Sequence, residues 1–255
     1  MSGSLSVWIE RDGKLLRLRL DRPKANVLDA EMIAALRAAF ATHCANASLR
    51  GVLIDASGPH FSFGASVEEH LPEKCAAMLG GFHALILDVL KSPIPVLVAL
   101  RGQCLGGGLE LASAAHLLFA APDTRLGQPE IALGVFAPAA SCLLTERITR
   151  AAAEDLLLSG RSITGIEAYD MGLINGLSDN PEAAALDYFD AHLARKSANA
   201  LRFATRAARL DFSARVATKL AAVEELYLNE LMQTHDAVEG LTAFIEKRET
   251  RWKDQ

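Results

Sequence analysis

Leu16, Leu18 and Leu20 alternate with Arg17 and Arg19, the period of a strand with one face in a core and the other in polar company. The pattern predicts a hairpin from residues 6–10 and 15–21, turned at Asp12-Gly13. Arg22-Pro23 stops the second strand, because proline cannot donate to a ladder. From Asp29 the period lengthens, with Ile33, Leu36 and Phe40 recurring at helical spacing. Residues 49–55 read as a short apolar strand, followed by a loop through Gly58-Pro59, a helix at 73–90 and a buried strand at 94–100. Gly106-Gly107-Gly108 then opens a helical run at 109–116, and 117–121 return to strand. Strand, loop, helix and strand again is the rhythm of a mostly parallel sheet. Beyond about Ala137 strands largely disappear, and residues 151–158, 166–171, 182–195, 199–210, 215–232 and 237–251 carry helical periodicity. No internal repeat, low-complexity tract or long polar linker interrupts the chain. The expected architecture is an α/β core over 1–195 with a helical C-terminal region, 196–255, that packs on the core or on a neighbour.

Composition narrows the class. The 255 residues are 51% apolar and 22% charged, with a mean hydropathy of +0.18, which is enough to bury a core and excludes a disordered chain. A net charge of −5 lacks the basic field of a nucleic-acid binder. The longest uncharged stretch, 131–145, is 15 residues long and holds Gly134 and Pro138, so no membrane span is expected. The start, Met1-Ser2-Gly3-Ser4-Leu5, has neither the basic nor the apolar region of a secretory leader. Cys44, Cys75, Cys104 and Cys142 lie 29 to 38 residues apart, with no close pair to clip a metal. They read as reduced thiols in a cytoplasmic protein, and no metal site is expected.

Few residues are placed to do chemistry. Three glycines between a strand and a helix let a ligand approach the backbone and expose N–H groups at a helix N-terminus. A phosphate cradle calls for Gly-Lys-Ser or G-x-G-x-x-G, and neither occurs here. An oxyanion hole for a carbonyl fits better, with a plain tight turn as the alternative. Glu110 is the only formal charge between Arg101 and Asp123, amid small and apolar neighbours. It is either a first-turn glutamate facing water or a buried carboxylate, which must be paired, protonated or functional. Glu130 follows Pro129 at what reads as a helix start, and nothing charged follows until Glu146. Two such carboxylates on separate elements could converge on one pocket and handle a water, one as base and one as acid. His60, His70 and His83 lack metal-ligand spacing and read as structural. No G-x-S-x-G elbow points to a serine hydrolase. Arg202, Arg206 and Arg209 share one helical face, read as solvated or, second, as facing a phosphate.

Three stretches resemble the crotonase (enoyl-CoA hydratase/isomerase) family: Phe63-Gly64-Ala65, Cys104-Leu105-Gly106-Gly107-Gly108-Leu109-Glu110-Leu111 and Gly127-Gln128-Pro129-Glu130-Ile131-Ala132-Leu133-Gly134. Arg22-Pro23-Lys24-Ala25-Asn26, Glu167-Ala168 with Gly172-Leu173-Ile174, Asp236, Glu239-Gly240 and Ala243-Phe244-Ile245-Glu246-Lys247-Arg248 extend the resemblance over essentially the whole chain. It implies a crotonase-like ββα spiral core with a helical C-terminal oligomerisation region, assembled as a homotrimer or homohexamer. The implied substrate is an acyl-CoA thioester, with coenzyme A part of that substrate and no further cofactor. The resemblance assigns Ala65 and Gly107 the oxyanion-hole amides, Glu110 and Glu130 the acid–base pair, Lys24 and Ala25 the coenzyme A site, and Phe63 and Phe136 the substrate pocket. Which glutamate is base and which is acid stays open.

Departures from the family pattern matter too. Ser66 and Glu68 stand where the family often has aspartate and lysine, and Ala137-Pro138-Ala139-Ala140-Ser141-Cys142 replaces a glycine-rich run. These changes imply a reshaped acyl pocket compatible with a ring. Stretches 58–70, 100–104 and 134–142 are most similar to members that hydrate a cyclic dienoyl-CoA to a 6-hydroxycyclohexene thioester in anaerobic benzoyl-CoA breakdown. A hydro-lyase of that kind is therefore expected. The alternatives are a straight-chain enoyl-CoA hydratase or isomerase, or a non-catalytic RNA-binding protein on the same fold, which the acidic balance weighs against.

Overall fold

The computed structural model describes residues 3–255; Met1 and Ser2, which open the N-terminal stretch considered above, lie outside the described residues. The expected hairpin forms from β1 (Leu5–Glu10) and β2 (Leu15–Leu20). Helix α1 (Ala30–His43) follows, its first turn capped by the Asp29 carboxylate, which accepts from the Met32 amide at 2.9 Å. The chain then runs through β3 (Gly51–Ala56), α2 (Pro72–Leu90), β4 (Val96–Leu100), β5 (Gln103–Leu105), α3 (Gly107–Ala114), β6 (Leu117–Ala120) and β7 (Arg125–Gly127). Next come α4 (Pro138–Arg147), α5 (Arg150–Ser159), β8 (Ser162–Thr164), α6 (Gly165–Asp170), β9 (Gly176–Leu177), α7 (Pro181–Tyr188), α8 (Ala198–Asn229) and α9 (His235–Glu246).

The main sheet has six strands in the order β1-β2-β3-β4-β6-β9, parallel throughout apart from the opening hairpin. The alternating residues of β2 do divide between its faces, but both faces are covered. Leu16, Leu18 and Leu20 join the larger core with α1 and α2, while Leu15, Leu53, Leu97 and Phe119 pack beneath Ala185 and Phe189. Arg17 and Asp55, 2% and 3% exposed, form an ion cluster with Arg19, Glu10 and Glu182 on that second face. The Trp8 ring stacks against both guanidinium groups.

A second sheet, β5-β7-β8, was not expected. Its strands are three residues each, too short to carry a period. It nevertheless holds the glycine loop beside the segment that carries Glu130, with the Gly106 amide donating to the Gly127 carbonyl at 2.9 Å. Other expectations need correction. Residues 199–210 and 215–232 form one 32-residue helix, α8, because nothing between Leu210 and Arg215 breaks it and Asp211 pairs with Arg215 one turn on. Helix α4 lacked a signal because its buried residues, among them Ala139, Ala140, Cys142, Leu143 and Leu144, leave no polar stripe to set a period. The helical stretch at 182–195 passes from α7 into a π turn, Phe189–Leu193. At the end of α9, Lys247 adopts φ +54° and turns residues 248–255 back along the helix.

Helix α8 packs on α2 and α4, and α9 packs on the two short turns Val67–His70 and Pro129–Leu133. The C-terminal helices thus close over the core of their own chain. Among the described residues, no helix is long and apolar enough to cross a membrane.

Candidate active site

The glycine loop and the segment 62–65 are laced together. The Ser62 amide donates to the Gln103 carbonyl at 3.0 Å, the Leu105 amide returns a bond to the Ser62 carbonyl at 3.0 Å, and Ser62 Oγ accepts from the Gly64 amide at 3.0 Å. This lacing sets the amides of Ala65 and Gly107 side by side. A Cβ on Gly107 would stand only 3.0 Å from the Ala65 nitrogen. Gly107 opens α3, where amides have no intrahelical partner. Among the described residues, neither amide donates to a protein acceptor. Two free N–H groups side by side, one of them at a helix N-terminus, are what an oxyanion hole needs.

Glu110 rises from the first turn of α3 but does not face water; it is 4% exposed. Its Oε1 accepts from the Ala140 amide at 2.8 Å, in the first turn of α4. Burial pushes its carboxyl well above the ordinary range, while the Ala140 and Ala139 amides pull the other way. Glu130 sits on the turn Pro129–Leu133 rather than on an α-helix, and it is half-buried. Burial raises its carboxyl too, and the charge of Glu110 raises it further. The segment packs closely enough that a Cβ on Gly106, at φ +50°, would meet Glu130 Oε1 at 2.5 Å. The buried Gln128 amide, oriented with its nitrogen toward the carboxylate, donates to both Glu130 oxygens at 3.1 and 3.2 Å. Gln128 lay inside a recognised motif, yet sequence alone gave no reason to single it out.

Both glutamates open on a pocket whose cavity volume is about 70 Å³. Ala65 and Gly107 lie on its wall, as do Phe63 and Phe136. Its apolar side comes from Met78, Leu79 and Phe82 of α2, from Val135 and Ala137, and from Leu241 of α9. Phe136 is braced edge-on by Tyr227 at 5.2 Å, whereas Phe63 is 45% exposed. Lys24 and Ala25 are not part of this lining. Lys24 is exposed, and the Ala25 carbonyl accepts from the Phe63 amide at 2.9 Å, so the pair stands one hydrogen bond from the pocket.

The remaining candidates separate. His60 Nδ1 accepts from the Gln103 amide at 3.1 Å and His83 pairs with Glu224, so both have structural partners. His70, read as structural from sequence, lines the pocket instead. The arginine face of α8 is not uniformly solvated. Arg202 donates to the Cys44 carbonyl at 3.0 Å, and Arg209 joins Arg147 on the carbonyls that end α3. Two guanidiniums thus satisfy the negative end of the helix whose positive end faces the pocket. Among the described residues, no group of three or more His, Cys, Asp or Glu side chains could hold a metal. All four cysteines are buried and unpaired, and burial pushes the thiols of Cys44 and Cys75 up to about 11.

Comparison with known proteins places the chain in a family. The family model described as enoyl-CoA hydratase/isomerase matches residues 10–255. The chain is 63% identical over 254 residues to the cyclohexa-1,5-dienecarbonyl-CoA hydratase of Thauera aromatica, covering 100% of this chain and 98% of that protein. It is 31% identical over 248 residues to a probable enoyl-CoA hydratase of Bacillus subtilis (strain 168), covering 93% and 95% respectively. The crystal structure of an enoyl-CoA hydratase from Mycobacterium avium subsp. paratuberculosis K-10 matches 100% of both chains with a TM-score of 0.86; at 22% identity that likeness is one of fold. Taken with the paired carboxylates and the free amides, these matches mean that the chain belongs to the enoyl-CoA hydratase/isomerase family.

Proposed function

We propose that this protein adds water to cyclohexa-1,5-diene-1-carbonyl-CoA, giving a 6-hydroxycyclohex-1-ene-1-carbonyl-CoA in anaerobic benzoyl-CoA breakdown. The observation that carries the reading is the 63% identity, along the full chain, to a hydratase of that diene thioester. The apolar pocket holding two carboxylates and two free amides supports it.

Burial raises both carboxyls, so the pair holds a proton between them; the Ala140 and Ala139 amides favour charge on Glu110 and the Gln128 amide favours it on Glu130. In the proposed cycle the proton starts on Glu130 and Glu110 starts ionised. Glu110 takes a proton from the water as the water oxygen bonds to the ring carbon β to the thioester. Electron density moves onto the thioester oxygen, where the Ala65 and Gly107 amides receive it. Glu130 then gives its proton to the far end of the conjugated dienolate, which leaves the double bond beside the carbonyl and the hydroxyl on the ring. Transfer of the proton from Glu110 to Glu130 restores the start. Lys24 and Ala25 hold the coenzyme A portion, which arrives as part of the substrate, so no resident cofactor takes part.

Loss of the dienoyl-CoA ultraviolet absorbance with purified protein tests the reading, and a panel of cyclic and linear enoyl-CoA thioesters sets its scope. Turnover of crotonyl-CoA but not of the diene would overturn the ring assignment. We also propose a cytoplasmic homotrimer or homohexamer, supported by the buried free thiols and by the exposed Phe203 and Leu210 on α8. Sedimentation showing a stable monomer at micromolar concentration contradicts the assembly.

A further inference from the structure

We propose that Nε2 of His70 accepts a hydrogen bond from a hydroxyl on the acyl group, so that this residue distinguishes the hydrated from the unhydrated thioester. The turn Val67–His70 follows the Ala65 amide directly and forms one wall of the pocket. Its polar side chains divide between two directions. Glu68 accepts from Ser66 Oγ at 3.1 Å, and Glu69 accepts from the Ala30 amide at 3.1 Å, so neither is turned into the pocket. His70 is.

The state of its ring follows from one contact. His70 Nδ1 lies 2.7 Å from the Ser66 carbonyl oxygen, which can only accept, so Nδ1 carries the hydrogen. Burial lowers the affinity of the ring for a second proton, which leaves Nε2 as a lone pair. Other histidines differ at this point. His83 Nε2 and His116 Nε2 are sealed from solvent without a partner, and His60 is bonded through Nδ1 to the Gln103 amide. His70 Nε2 is neither sealed nor bonded to protein among the described residues. Among the side chains that line the pocket, His70 is the one neutral nitrogen or oxygen acceptor beside the two carboxylates, on a wall otherwise built of Met78, Leu79, Phe82 and Leu241. An unhydrated ring offers that nitrogen nothing. A hydroxylated ring offers an O–H, so a bond from the acyl group itself exists only after water has added.

The inference rests on the hydratase reading for the identity of the ring, so its test uses ligands that need not turn over. Inhibition constants of cyclohexanecarbonyl-CoA and 2-hydroxycyclohexanecarbonyl-CoA are measured with wild type, His70→Met and His70→Gln. In His70→Met the preference for the hydroxylated ring should fall by about three- to tenfold, the worth of one hydrogen bond, with affinity for the plain ring retained. His70→Gln, which keeps an amide oxygen near the Nε2 position, should recover part of the preference. Equal weakening of both ligands in His70→Met, or an unchanged ratio, overturns the proposal. Failure of the wild type to hydrate the diene would overturn the substrate reading and leave this ratio just as informative.

Discussion

Glu110 and Glu130 are both raised by burial, and the difference between them lies in one or two neighbouring groups. Glu110→Gln and Glu130→Gln should each lower kcat by about 10²–10⁴ with a smaller change in KM, measured by steady-state hydration. The proton shared by the pair also predicts a bell-shaped dependence of kcat/KM on pH, its two limbs set by the first and second ionisations of the pair as a unit. Stability follows the opposite rule from a salt-bridged carboxylate. A carboxyl raised in the folded state binds its proton more tightly there than in the unfolded chain, so stability falls as pH climbs above the ordinary carboxylate range. Glu130→Gln removes the Glu130 share of that slope, and its Tm should gain on wild type more at pH 8 than at pH 5. At the oxyanion hole, Gly107→Ala places a methyl between the two donors. The expected loss is about 10²–10³ in kcat, with some fall in melting temperature because the methyl also meets Ala65 Cβ at 3.3 Å and the Phe82 ring at 3.4 Å. The chemistry of Glu110 was visible in sequence because a lone charge among alanines and leucines is conspicuous. His70 was not, since nothing in one sequence says which way a histidine on a short turn will face.

At the scale of elements, legibility followed length and asymmetry. The hairpin, α1, α2 and β4 announce themselves by period, each with a distinct apolar face or run. The three-residue strands β5, β7 and β8 are defined by backbone pairing to partners far along the chain, which a local period cannot register. Helix α4 is hidden by the opposite excess, being buried almost all round. The end of α9 was misread for a third reason: a left-handed Lys247 reverses the chain where charged residues suggested more helix. The returning tail is anchored by Arg248 on Glu239, by the Arg251 amide on Glu239 at 2.9 Å, and by the Lys253 and Asp254 amides on Asp236 at 2.8 and 2.7 Å. Deleting residues 248–255 should loosen α9 and with it the Leu241 wall. KM for the acyl thioester is then expected to rise several-fold while kcat changes less, measured by substrate titration.

Across the whole molecule, the two faces of the main sheet have separate duties. One face supports α2 and α3 and through them the pocket; the other is closed by α7 over the ion cluster of Arg17, Asp55, Arg19, Glu10 and Glu182. Asp55→Ala removes the most buried carboxylate of the cluster and leaves Arg17 and Arg19 sharing only Glu182, with Glu10 still on Arg17. It should cost about 1–3 kcal/mol in denaturant unfolding at neutral pH, with kcat unchanged in the folded enzyme. The sequence showed those arginines only as the outward side of a strand, because the cover, α7, arrives from more than 150 residues later.

The bond from Ala140 to Glu110 gives the protein a reporter of its own chemistry. The amide hydrogen that α4 directs at this carboxylate feels full negative charge when the acid is ionised and much less when it is protonated. In a spectrum of the isotopically labelled enzyme, the Ala140 amide resonance should therefore move with each gain and loss of that proton. The resting ionisation of the site could then be read from one backbone signal, with no dye, no ligand and no substitution.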